Sequence, residues 1–84
     1  MKKEKIKELF QELIEREFQI DEIAELFYHI NEYLFAKRES QRKGESKFYK
    51  ESWKESSVRW RKRLQEKLDD FSLDYTIEDI EQKF

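Results

Sequence analysis

The chain lacks cysteine and proline, and its 84 residues include a single glycine and a single histidine. Without cysteine, neither a disulfide framework nor a thiolate metal site can form, which fits a reducing compartment such as the cytoplasm. A metal site built on His29 would need a second histidine or several carboxylates from another helix. The serines have no other histidine to draw on, and no glycine-rich loop can bind a phosphate or an oxyanion. We therefore expect a protein that is not an enzyme and that holds no metal ion or cofactor.

Long apolar runs are also missing. No stretch approaches the roughly 20 apolar residues of a membrane span, and the N-terminal sequence is interrupted by Glu where a signal peptide needs an unbroken apolar run. Charged residues make up 45% of the chain, well above the roughly 25% of an average globular protein. Aromatic residues make up 15%, and their burial can offset the chain entropy of a small domain. We expect a soluble, cytoplasmic protein that folds as one domain over residues 1–84, without a membrane partner.

The scarcity of proline and glycine predicts an almost wholly helical chain. Two successive sets of apolar residues follow the spacing of three and four residues that marks one face of a helix. The second set is rotated around the helix axis from the first, so we place a turn at Phe18–Asp21, with Asp21 as the N-cap of the second helix. Helices 1 and 2 are therefore expected to form a hairpin. The two sets are Ile6, Leu9, Phe10, Leu13 and Ile14, and Ile23, Leu26, Phe27, Ile30 and Leu34.

The remaining helices are predicted from their ends. Gly44 is the one residue typical of a helix C-terminus, and it places the end of helix 2 at Ser40–Lys43. A third helix is expected over about Glu45–Asp70, close to 40 Å long at 1.5 Å per residue, and Thr76 with Asp79 predicts the capping box of a short fourth helix. The predicted fold class is all-α, a small helical bundle with helix 1 and helix 2 as a hairpin, a long helix 3 and a short C-terminal helix 4. Helix 3 exceeds the roughly 30 Å of a compact domain of this size. Either the helices form an elongated hairpin with little core, or a second copy or a partner protein covers the exposed surface, and of these we expect a homo-oligomer.

Charge is distributed unevenly along the chain. Residues 1–35 carry 5 basic and 9 acidic side chains, residues 36–68 carry 12 and 5, and residues 69–84 carry 1 and 6. The basic middle segment includes Tyr49, Trp53 and Trp60, which lie on one face of the predicted third helix. Aromatic and Arg side chains are the usual anchors of protein interfaces. The candidate partner-binding residues are Lys47, Lys50, Trp53, Lys54, Arg59, Trp60, Arg61 and Arg63.

A basic, aromatic helix can serve three purposes. It can bind an acidic protein surface, the phosphates of DNA or RNA, or only the chain's own acidic segments, such as the first helix with Glu8, Glu12 and Glu15. Nucleic-acid binders usually carry a strong positive excess, whereas this chain has a net charge of −2. The favoured function is therefore protein–protein interaction, as a regulator, an inhibitor or an assembly subunit, and DNA or RNA binding is the alternative.

Overall fold

The chain folds into four helices. A computed structural model describes the backbone of residues 2–83 and the side chains of residues 7–82. Within this part of the chain the helices are α1 (Lys2–Glu15), α2 (Ile20–Ser40), α3 (Lys47–Asp70) and α4 (Ile77–Lys83), with no strand. The predicted all-α fold class, the long third helix and the short C-terminal helix are therefore confirmed. The predicted apolar contact of Ile6 lies outside the described side chains.

The N-terminal end of α2 differs from the prediction in its capping residue. Helix α2 begins at Ile20 with Gln19 as its N-cap. The backbone N–H of Gln19 donates to the Glu22 carboxylate at 3.0 Å. Asp21 lies inside the first turn, where its Oδ1 accepts from the Glu22 N–H at 3.0 Å. The prediction of Asp21 as N-cap is therefore wrong, although its charge is still favourable at the positive end of the helix dipole.

Helices α3 and α4 begin with side-chain caps. The Ser46 hydroxyl accepts from the Tyr49 N–H at 3.1 Å. At α4, the Thr76 N–H donates to Asp79 Oδ2 at 3.0 Å, and the Asp79 N–H donates to Thr76 Oγ1 at 3.1 Å. The capping box predicted for the fourth helix is thus confirmed, and it satisfies two backbone donors that a helix start leaves unpaired. Gly44, at φ +85°, lies in the loop between α2 and α3, beyond the end of α2.

Helices α2 and α3 form a long antiparallel pair. Near the start of α2, Glu25 binds Lys67 of α3 at 2.8 Å, and near its end Glu39 accepts from the Tyr49 hydroxyl at 2.9 Å. Since the residue numbers rise along α2 as they fall along α3, the two helices run in opposite directions. This is the most extensive helix pairing among the described residues.

The expected hairpin of α1 with α2 is a smaller contact. Its helices meet through the rings of Phe10 and Phe27, whose centroids are 6.2 Å apart. Helix α1 also lies against α4, and Glu12 accepts from the hydroxyl of Tyr75, just before α4, at 3.0 Å. The short helices α1 and α4 therefore cover one part of the α2–α3 pair.

The hydrophobic core is confined to one end of the helix pair. None of the side chains from Lys47 to Arg63 in α3 is buried, and beyond Tyr33 in α2 only Ala36 is. We call residues 34–63 the open half. The molecule measures 44 × 27 × 20 Å with a radius of gyration of 13.9 Å, against about 12 Å for a compact chain of this length. The buried residues are Leu9, Leu13, Ile23, Leu26, Ile30, Tyr33, Ala36, Leu64, Leu68, Phe71, Leu73, Ile77 and Ile80.

Helix α1 ends in a left-handed turn that is built without glycine. Glu17 has φ 61°. The N–H of Phe18 donates to the Leu13 carbonyl at 3.1 Å, and the N–H of Glu17 donates to the Ile14 carbonyl at 3.0 Å. This is the hydrogen-bond pattern of a Schellman motif. It turns the chain sharply and directs Phe18 back onto the core, where its ring packs.

Helix α3 ends in the same way, and Arg16 joins the two ends. Ser72 has φ 52°, and the N–H of Leu73 donates to the Leu68 carbonyl at 2.9 Å. The Arg16 guanidinium donates to the carbonyls of Phe71 at 2.9 Å and Ser72 at 3.2 Å. A cation is favourable there because the C-terminal end of a helix is negative. The C-terminal ends of α1 and α3 are thus held side by side.

We expect Glu17→Gly to stabilise the protein by about 0.5 to 1 kcal/mol. A left-handed conformation costs a non-glycine residue roughly 1 to 2 kcal/mol, and glycine's greater chain entropy offsets part of the gain. The matched control is Glu66→Gly at an exposed position inside α3, which should destabilise by about 1 kcal/mol. Urea unfolding followed by circular dichroism measures both. A Glu17→Gly variant that loses as much stability as the control would contradict this account of the turn.

Candidate partner-binding surface

The two tryptophans of the candidate site lie in the interface between α2 and α3. Trp53 packs edge-on against Phe35, with ring centroids 5.2 Å apart. Trp60 packs edge-on against Tyr28 at 5.7 Å and His29 at 5.5 Å. Both tryptophans are half-buried. Such offset and edge-on pairs stabilise helix contacts beyond the area they bury, so these rings hold the open half together and present only their outer edges to a partner.

Arg61 is bound within the molecule. Its guanidinium lies 2.7 Å from the Glu78 carboxylate and 3.9 Å from that of Glu81, both on α4, and donates to the Tyr33 hydroxyl at 3.4 Å. The hydrogen bond from Arg61 lowers the pKa of Glu78 and the same bond raises the pKa of Arg61. Arg61 therefore joins α3 to α4.

The cations of α3 make no ion pair with Glu8, Glu12 or Glu15, the acidic side chains that the structure describes in α1. Among the described residues, the ion pairs of α3 with other helices go to Glu25 of α2 and to Glu78 and Glu81 of α4. Glu12 of α1 instead accepts the hydroxyl of Tyr75. The alternative in which the basic third helix pairs with Glu8, Glu12 and Glu15 of the first helix is therefore wrong, whereas its Arg61 does pair with the chain's own acidic C-terminal segment, through Glu78 and Glu81.

The remaining candidate cations face solvent on two flanks of α3. Lys47 pairs with Glu51 of its own helix at 3.9 Å, an exposed pair that contributes little to stability. Lys50 is half-buried and Lys54 is exposed, and both lie on the flank that faces α4. Arg59 and Arg63 lie on the other flank, where the Arg59 guanidinium donates to Ser56 Oγ at 3.2 Å and that of Arg63 stacks 5.0 Å above the Trp60 ring.

A groove of about 450 Å³ runs between α2 and α3 on the flank that faces α4. We call it the basic groove, because its walls carry Lys37 from α2 and two of the predicted cations from α3. The α2 residues of this groove were missed by the sequence reasoning, since no local pattern shows which flank of α2 faces the cations of α3. The residues that line the groove are Tyr33, Lys37, Ser40, Gln41, Lys54, Ser57, Val58 and Arg61.

One end of the basic groove is closed by a polar network on α4. The Glu81 carboxylate binds Lys37 at 2.7 Å and accepts the Tyr33 hydroxyl. Burial, together with the Glu81 hydrogen bond, raises the pKa of Tyr33 to about 12, so the phenol stays protonated. The hydrogen bond from Lys37, and then that from Tyr33, lowers the pKa of Glu81, so the carboxylate stays ionised. At the other end, no carboxylate among the described side chains pairs with Lys54.

Other kinds of site find little support in the described part of the chain. There, no group of three or more His, Asp or Glu side chains is placed to hold a metal ion. Of the helices formed by these residues, none has both the length and the apolar character to cross a membrane. His29 uses Nδ1 to contact the Glu25 carbonyl at 2.8 Å and packs on Trp60, which is a structural role.

We expect the Glu81 network to make the fold sensitive to acid. Because the pKa of Glu81 is lower in the folded chain than its ordinary value of 4.5, its contribution to stability is complete above pH 4.5 and is lost as the pH falls through the folded-state pKa. Glu81→Gln should be less stable than wild type at neutral pH and should lose less stability on acidification. Urea midpoints at one protein concentration, measured from neutral pH to about pH 3, test this.

The control for this test is Glu66→Gln, at an exposed position of α3 without an ion pair among the described residues. It should keep the wild-type dependence on pH. If Glu81→Gln lost stability on acidification as steeply as wild type, the network would not be the source of the acid sensitivity.

No protein-family model, curated protein or solved structure matches this chain. Its function has to be inferred from its own side chains, chiefly from the open half of the helix pair and from the basic groove along it.

Proposed function

We propose that this protein is a non-enzymatic protein-binding module that receives an acidic segment of a partner in the basic groove. The observation that carries the proposal is the ammonium of Lys54, which pairs with no described carboxylate and lies at the open end of a groove that is already shaped by two long helices. Lys50 adds a second cation one turn before Lys54 on the same flank of α3. Carboxylates of a partner would pair with these two lysines at the open end, as carboxylates of α4 pair with Lys37 and Arg61 at the closed end.

The groove has the mixed chemistry of a protein interface. Val58 is 62% exposed at its edge, while Ser40, Gln41 and Ser57 offer hydroxyl and amide groups along it. Protein interfaces combine apolar contact with about one hydrogen bond per 100 to 200 Å². A segment that lies between two antiparallel helices can bury its apolar side chains on both. The groove therefore fits an acidic, amphipathic segment better than a small ligand.

The same geometry argues against a nucleic acid as the ligand. Glu78 and Glu81 lie at the closed end of the basic groove and remain ionised. They would repel phosphates within roughly a Debye length, about 8 Å at physiological salt. The two tryptophans that could stack on bases are half-buried against α2. DNA or RNA binding remains the outcome that would replace the proposal.

The proposal predicts that Lys50→Glu combined with Lys54→Glu weakens partner binding at least about tenfold, because like charges placed across an interface cost several kcal/mol. Arg61 is left intact in this variant, since its loss would detach α4. The matched control is Lys7→Glu combined with Lys62→Glu, which makes the same change of charge at exposed positions outside the groove. Affinity capture from the native host, with and without nuclease, followed by titration of the captured protein, measures the effect.

The expected result is a protein partner that wild type and the control retain after nuclease treatment and that the groove variant loses. Capture that disappears with nuclease, or a salt-sensitive complex with DNA or RNA below 1 µM, well under the roughly 10⁻⁴ to 10⁻⁶ M of non-specific binding, would replace this function by nucleic-acid binding. Equal losses in the groove variant and in the control would show that net charge, and not the groove, is responsible.

A further inference from the structure

Helix α2 has an uncharged outer face. Its exposed side chains Ala24, Tyr28, Asn31 and Phe35 follow one another along the helix, and we call them the α2 stripe. Tyr28 is 55% exposed and Phe35 is 37% exposed. In a chain in which 45% of the residues are charged, these are about three turns of exposed helix without a charge, and the contacts of Tyr28 with Trp60 and of Phe35 with Trp53 cover only one side of each ring. Exposed apolar surface of the kind that Ala24, Tyr28 and Phe35 supply here marks an interaction site.

The stripe continues into an apolar cavity of about 390 Å³ between α1 and α2. Phe10 is 45% exposed there and Ile20 is 85% exposed. The apolar surface therefore extends from the turn after α1 along most of α2. The residues that line the cavity are Phe10, Ile20, Ile23, Ala24 and Phe27.

The spacing of the α2 stripe is that of a two-helix seam. Its members are separated by four, three and four residues, and the pattern extends by three residues to Asp21 at one end and to Arg38 at the other. Alternating steps of three and four are the a and d positions of a heptad repeat, which pack against a second helix. The seam thus begins with a carboxylate and ends with a guanidinium.

We propose that a second copy of this chain covers the α2 stripe, with the two α2 helices antiparallel about a twofold axis. This arrangement places the acidic start of each seam on the basic end of the other, and it sets the small side chain of Ala24 opposite the ring of Phe35. A twofold interface is self-complementary, so every contact occurs twice. The layers are Asp21 on Arg38, Ala24 on Phe35, and Tyr28 on Asn31.

A parallel arrangement does not fit the same residues. It would bring Asp21 against its own copy and Arg38 against its own copy, and like charges at close range are unfavourable. It would also set Phe35 on Phe35 and leave a gap at Ala24, and unfilled space in an interface loses packing energy. Antiparallel helix dipoles favour the same choice. Charge and shape therefore select a copy of the chain in one orientation.

The dimer leaves the basic groove open. Lys37, on the groove wall, lies about 150° around α2 from the middle of the stripe at 100° per residue. The two surfaces are therefore on different sides of the helix. The inference rests on α2 alone and stands whether or not the groove binds an acidic segment. A dimer would carry two such grooves, which would raise the avidity for a repeated partner.

Sedimentation equilibrium with a charge exchange tests the dimer. Wild type should reach twice its chain mass of 10.6 kDa between about 1 and about 100 µM. Asp21→Arg alone and Arg38→Asp alone should each weaken the dimer at least tenfold, because each brings like charges together twice. The double variant should recover to within about threefold of wild type. Asp21 and Arg38 are about 26 Å apart along α2, so the recovery has to occur between chains.

Two further variants keep the test decisive if a charge reversal weakens α2 itself. Ala24→Glu puts a charge in the middle of the stripe at a position where both residues are good helix formers, and it should yield a folded monomer. Asp70→Arg, exposed on α3, should dimerise like wild type. A wild-type mass of 10.6 kDa throughout, single variants that dimerise as well as wild type, or a double variant as weak as the singles would each overturn the proposal.

Discussion

The junction where α1 and α3 end is the contact on which the core depends. Arg16 binds the carbonyls of the two residues that follow α3, and the rings of Phe18 and Phe71 pack with centroids 4.7 Å apart. A chain with so many charged side chains has few apolar residues to bury. Its core lies where α1 and α3 end, and at each of these ends a left-handed residue, Glu17 or Ser72, turns the chain. Both turns return an apolar residue, Phe18 and Leu73, to that core.

The open half is the consequence of so small a core. From Lys47 to Arg63, α3 is held against α2 by half-buried rings and by the hydrogen bond of Tyr49 to Glu39, without a buried side chain of its own. Two surfaces result, the basic groove on one side of the pair and the α2 stripe on another. The first offers Lys54, which pairs with no described carboxylate, to a partner, and the second offers an uncharged seam to a copy of the chain. A long helix pair with a core at one end thus leaves surface for binding.

Local signals in the sequence predicted the helices well, whereas contacts between helices were not accessible from it. Periodicity placed α3 within two residues, and the Thr76 and Asp79 pair predicted the start of α4 because a capping box acts within four residues. Glu17 and Ser72 adopt left-handed conformations. Neither could be predicted, because Gly and Asn are the residues that usually mark this conformation in a sequence. Spacing shows which face of a helix is apolar but not which helix covers it, so the long pair of α2 with α3, the α4 partners of Arg61 and the place of Lys37 in the groove required the structure.

Amide hydrogen exchange along α3 tests the central claim, which is that one end of the helix pair is a core and the other end is open. Exchange rates report the free energy of local opening, which is small where few apolar contacts are buried. Amides around Leu64–Leu68 should be among the slowest in the chain, and those of Tyr49–Val58 should exchange at least about tenfold faster in the protein without a partner. Uniform protection from Tyr49 to Leu68 would contradict the account.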